Sequence, residues 1–191
     1  MHAIALQFES SPYSNDHQVR PVIDGIDLLR DMADDLLGLD PPQLFRQPAL
    51  SRGGPLVVGR CSCGDAGCGA VRVDVEVADR RVTWHFGAES TYHFELQQYL
   101  ECIERASRNT SWESVGRTAE RLVSLVDFSR MADRGYRFEW ASTRITRACV
   151  TLSFSKAGKQ RLFQVEWDDM RADDAEQQVR LWAAQYVEPS V

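Results

Sequence analysis

Three cysteines crowd into one short stretch, Cys61-Ser62-Cys63-Gly64-Asp65-Ala66-Gly67-Cys68-Gly69. Thiolates are soft ligands that suit zinc, and glycines let a short loop turn several side chains toward one point. Cys61, Cys63 and Cys68 would supply three sulfurs to a structural zinc site, which takes four ligands. The fourth would come from His85 first, one predicted strand away, then from Asp65, with His93, Cys102 and Cys149 as further candidates. The C-x-C-x4-C spacing differs from the common C-x2-C zinc pair, so two other states stay open. In one, the thiols are small side chains at a tight hairpin tip. In the other, Cys61 and Cys68 face each other across the hairpin and close a labile disulfide. A catalytic thiol needs a base, and His85 and His93 are the candidates for a Cys–His pair. On strand alternation His85 points away from Trp84 and Phe86, the ordinary position of a surface histidine. Cys102 and Cys149 stand alone and read as structural.

The second constellation is acidic. Asp24, Asp27, Asp31, Asp34 and Asp35 fall on one side of a helix predicted over residues 24–37, with Ile26, Leu29, Ala33, Leu36 and Leu37 on the other. Carboxylates at these spacings repel one another. Such a stripe is either a solvated face, favoured in its N-terminal half by the helix dipole, or a surface for a cationic partner. Asp27, Asp31, Asp34 and Asp35 are the predicted partner-binding residues, and a basic protein is the partner they would take.

No motif names a reaction. The loop glycines match neither G-x-x-x-x-G-K-[ST] nor G-x-G-x-x-G, and there is no serine nucleophile elbow and no H-E-x-x-H. No catalytic residue is therefore assigned. Tyr136, Phe138 and Trp140, near Arg134, Arg137, Arg144 and Arg147, could stack bases. Their period-2 alternation instead puts the aromatics on the core face of a strand. With 28 acidic against 22 basic residues and a net charge of −6, the chain lacks the basic surface that nucleic acid or an anionic membrane requires.

The elements that must position these residues follow from periodicity. Residues 3–8 and 19–23 read as strands, and Asp24 opens the helix over 24–37. Residues 39–55 hold Pro41, Pro42, Pro48 and Pro55 and read as a connecting loop. Residues 56–59, the alternating valines 71–77, and Val82, Trp84 and Phe86 form a three-stranded meander, with the cysteine loop at its first hairpin tip. Helices follow over 94–108 and, after the capping box Thr110-Ser111-Trp112-Glu113, to residue 127. Strands at 136–140, 150–154 and 163–167 and a helix from Asp173 complete the chain. The predicted class is α+β: antiparallel sheets built from a meander and a C-terminal hairpin, with about four helices, in a single domain over residues 1–191. An odd count of five cysteines and an N-terminus without signal-peptide character predict a reducing, cytoplasmic location. No apolar run approaches the ~20 residues of a membrane span.

Residues 57–69, followed by Val82-Thr83-Trp84, Tyr92-His93-Phe94 and Trp112-Glu113, resemble a bacterial protein group. In that group a C-x-C-G-x-x-G-C-G loop precedes a valine-rich strand and a V-x-W element. The likeness covers residues 55–140 and implies a bacterial cytosolic source. The group has no assigned activity, so the likeness implies no catalytic residue. In size and charge the chain is also similar to immunity proteins of bacterial toxin systems, an architectural analogy. The expected function is a non-enzymatic acidic binding protein, specifically an immunity protein that neutralises a toxin. The alternative is a zinc- or thiol-dependent regulator or enzyme using the loop from Cys61 to Cys68.

Overall fold

The computed structural model describes residues 1–11, 17–33, 35–63, 69–87 and 90–186. The chain divides into two compact units, Met1–Trp112 and Glu113–Val191, each with its own hydrophobic core. Every strand pair is antiparallel, and the described residues hold seven helices, three of them long, so the class is α+β.

The first unit opens with a hairpin of β1 (Ile4–Ser10) and β2 (His17–Ile23). β2 turns at Asp24-Gly25 into β3 (Ile26–Asp27). Both turn residues have positive φ, 52° and 84°, the left-handed pair that tight hairpins select and that Asp-Gly accommodates. A short helix α1 (Leu28–Met32) and a short strand β4 (Leu36–Gly38) follow. The single helix expected over 24–37 is therefore corrected to turn, strand, helical turn and strand. Asp27 is the N-cap of α1, its carboxylate accepting from the Leu29 and Arg30 amides. Ile26, expected on the buried side, is 59% exposed.

Residues 39–55 contain two short helices, α2 (Pro41–Phe45) and α3 (Ala49–Arg52). Between them the Gln47 side-chain amide donates to the Val57 carbonyl at 2.8 Å and accepts from the Val57 amide at 2.9 Å. It thus occupies a stretch of strand edge as a neighbouring strand would. The strands β5 (Gly54–Cys61), β6 (Ala70–Ala78), β7 (Arg81–Phe86) and β8 (Ser90–Glu95) form with β4 a five-stranded sheet in the order β4-β5-β6-β7-β8. The expected meander is there, with a further strand on each flank. Val71, Val73, Val75, Val82 and Trp84 are buried, as the alternation requires. Phe94, expected to begin a helix, ends β8 in the core, and Glu95 caps α4 (Leu96–Ser107) by accepting from the Gln98 amide. Trp84 donates its indole N–H to the buried Tyr99 hydroxyl at 3.3 Å.

The second unit comprises α5 (Val115–Val123), α6 (Ser129–Ala132), β9 (Arg137–Ser142), β10 (Cys149–Lys156), β11 (Lys159–Glu166) and α7 (Ala172–Gln185), its sheet ordered β11-β10-β9. Ser114, not the expected capping box, caps α5, while Asn109 takes the Ser111 amide and hydroxyl. The aromatic alternation on β9 is interrupted. The β9–β10 pairing shifts register between Ser153 and Phe154, so Phe138 lies opposite Phe154 in the core whereas Trp140 lies opposite Ser153 on the other face. Among the described residues no helix is long and apolar enough to cross a membrane.

Candidate functional site

The end of the acidic run and the start of the cysteine loop, 26 residues apart from Asp35 to Cys61, meet at one edge of the five-stranded sheet. β4 pairs with the end of β5 in the register Leu36↔Cys61, Leu37↔Arg60, Gly38↔Gly59. Asp35 directly precedes β4, and Ser62-Cys63 directly follow β5, so the antiparallel pairing sets them side by side. The Cys61 amide donates to the Gly69 carbonyl at 3.2 Å and closes the base of the cysteine hairpin. Asp34, Asp65 and Cys68 lie outside the described residues.

A dense polar centre fixes this edge. Arg20 on β2 is only 4% exposed. Its guanidinium donates from Nε and Nη2 to the two Asp27 oxygens at 2.5 and 3.1 Å, and from Nη1 to the Leu36 carbonyl at 3.0 Å. Gln18, also buried, accepts from Arg20 at 3.3 Å and from the Gly38 amide at 2.6 Å. A β-carbon on Gly38 would stand 2.1 Å from the Val19 carbonyl oxygen, so only glycine lets β4 approach β2 this closely. Burial by itself would raise the Asp27 carboxyl, but Arg20 and the Arg30 and Leu29 amides outweigh it and hold it below the ordinary carboxylate value. Arg20 and Gln18 were missed as functional positions. Their signal was a charge inside an apolar strand, which demands a buried partner.

The five aspartates consequently divide. Asp24 clamps the N-terminus: the Ala3 amide donates to it at 2.7 Å and His2 pairs with it at 2.6 Å, and these bonds hold its carboxyl below the ordinary value. Asp27, expected on a free stripe, is spent on Arg20 and the α1 amides. Asp31 and Asp35 are exposed and have no side-chain partner among the described residues. Arg30, the basic residue on α1, instead reaches Glu9 at 3.7 Å. Next to Asp31 stand two exposed apolar side chains, Ile26 and Met32, the latter 42% exposed. Ile26, Asp27, Arg30 and Asp31 border a surface depression of about 430 Å³.

At the end of β5 the structure joins Cys61 to Cys63, with α-carbons 5.5 Å apart, while the expected partner Cys68 lies outside the described residues. The Cys63 amide donates to the Cys61 sulfur at 3.3 Å. Zinc at Cys61 and Cys63 would require this pair reduced, because only thiolates ligate.

His85 is the expected fourth ligand. It lies opposite Asp74, four residues along β6 from Ala70 at the hairpin base, roughly 13 Å of strand rise. It is 3.4 Å from Glu76 instead. His93 bonds Thr83 at 3.2 Å on the next strand. Cys102 donates to the Ile4 carbonyl at 3.3 Å, and burial pushes its thiol up against the opposing influence of Arg105. Cys149 begins β10 in the second unit. Among the described residues no three His, Cys, Asp or Glu side chains converge as metal ligands.

Compared with known proteins, the chain matches no family model, no curated protein and no solved structure.

Proposed function

We propose that this chain is a non-enzymatic protein-binding module that engages a basic protein through α1 and the turn before β4 in its first unit. The observation that carries the reading is the exposed pair Asp31 and Asp35, unspent by the fold, with Asp31 set beside exposed Ile26 and Met32. An apolar centre with a charged rim is the common anatomy of a protein interface. The rim carboxylates would steer and orient a cationic partner more than they would hold it. Neutralisation of a basic toxin is the specific form we propose, by analogy of size and charge with immunity proteins.

The test is capture with the purified chain, isolation of the captured protein, and reconstitution of the pair by calorimetry at low and physiological salt. Reversal at both positions, Asp31→Lys with Asp35→Lys, should weaken binding about tenfold or more and flatten its salt dependence. Reversal at Asp133 in the second unit should change it less than about twofold. A reconstituted partner that binds the Asp31/Asp35 variant unchanged would remove this surface from consideration. Failure to reconstitute any partner would overturn the binding reading itself.

A further inference from the structure

We propose that Cys61 and Cys63 form a redox-active dithiol that exchanges with small thiols of the glutathione class. The pair closes a ring of only three residues. Such a small loop withholds little chain entropy from the unfolded state, so closure adds little to the stability of the disulfide. The pair is also accessible: Cys63 is exposed and Cys61 half-buried at the end of β5. A disulfide that gains little from the fold and faces solvent belongs to the labile class, not the structural one.

The surroundings distinguish the two sulfurs. Cys63 presents the open one, while the Cys61 sulfur already accepts the Cys63 amide at 3.3 Å. An N–H aimed at sulfur favours the thiolate over the thiol. The exchange runs accordingly. An incoming thiolate attacks Cys63 Sγ, the bond to Cys61 breaks, and its electron pair leaves on Cys61 as a thiolate held by the Cys63 amide. A second small thiolate attacks the sulfur of the first small molecule in the mixed disulfide. Cys63 leaves as thiolate and the small-molecule disulfide departs. Two small thiols are oxidised, the protein disulfide is reduced by two electrons, and solvent supplies the protons. The reverse run, on an oxidised small disulfide, restores the pair.

The experiment equilibrates the full chain in buffers of varied reduced-to-oxidised glutathione ratio, quenches with acid, alkylates in denaturant, and maps modified cysteines by mass spectrometry. Two of the five thiols should titrate together, map to Cys61–Cys63, and still do so in Cys68→Ser. When the oxidised wild-type chain meets reduced glutathione and is acid-quenched early, the mixed disulfide should map to Cys63 about ten times more often than to Cys61. Circular dichroism of Cys68→Ser confirms that the fold is retained. Five free thiols under oxidising glutathione, or a pair that maps to Cys68, would overturn the site. Equal mixed-disulfide yields at Cys61 and Cys63 would overturn the assigned roles of the two sulfurs.

Discussion

The two compact units spend their buried charge on different tasks. In Met1–Trp112 the buried cation is Arg20, and its bonds tie β2, the α1 cap and the Leu36 carbonyl into one knot. In Glu113–Val191 the buried carboxylate is Glu120, 9% exposed, which accepts from Arg117 at 2.9 Å, from the Thr143 amide at 2.8 Å and from Arg144 at 3.2 Å. That knot ties α5 to the segment after β9. Around it the second unit pairs further charges within itself: Arg121 with Glu113, Arg137 with Glu139, and Arg180 with Glu176. Both units also leave exposed carboxylates unspent, Asp31 and Asp35 in the first and Asp133 and Glu166 in the second. Comparison of the two shows that acidity alone does not locate a contact surface. The informative carboxylates are those left over beside exposed apolar side chains, as Asp31 is beside Ile26.

The largest expected effect is at the second knot. Glu120→Ala leaves Arg117 buried without its carboxylate and should cost about 3–5 kcal/mol. In calorimetry this variant should show two transitions, with the Glu113–Val191 unit unfolding first. A single transition shifted as a whole would show that all 191 residues unfold as one cooperative domain.

Gly38→Ala attacks the first knot by sterics alone. Its new β-carbon meets backbone, which has little room to yield, so a loss of about 3 kcal/mol in denaturant unfolding is expected. A cost below about 1 kcal/mol would show that β4 can separate from β2.

Asp27→Asn should cost about 2 kcal/mol at neutral pH by weakening the bidentate bond to Arg20. Asp27 has a folded pKa below its unfolded value, so its contribution is complete above the ordinary carboxylate range, near pH 4. That contribution is lost as pH falls through the lower folded value. Wild type should therefore converge on the variant below about pH 4. A gap that stays constant with pH would separate Asp27 from the acid response.

The smallest effect sharpens the comparison. Asp31→Asn should change stability by less than about 0.5 kcal/mol, since the fold does not use this carboxylate. A loss as large as that of Asp27→Asn would show a structural role that the exposed position does not provide.

Local pattern by itself determined the valine alternation of β6, the hairpin at Ala157-Gly158, the buried face of α7 at Ala175, Val179 and Ala183, and the α+β class. Each depends on neighbours within a few residues, where side-chain period and turn chemistry act directly. The cysteine loop and the acidic run were also legible as features, but not as neighbours. Helical spacing over residues 24–37 agreed with the apolar positions and still failed. Asp24-Gly25 is a better hairpin turn than helix start, and Arg20 draws Asp27 inward. For His85, alternation gives the face, but only strand register gives the distance from Cys61. Tertiary structure alone decided that Leu36 pairs with Cys61, because that pairing rests on a buried arginine, a glutamine amide and a glycine contact supplied by segments distant in the chain. A buried polar group must find its partners wherever the fold brings them, and no sequence period records where that is.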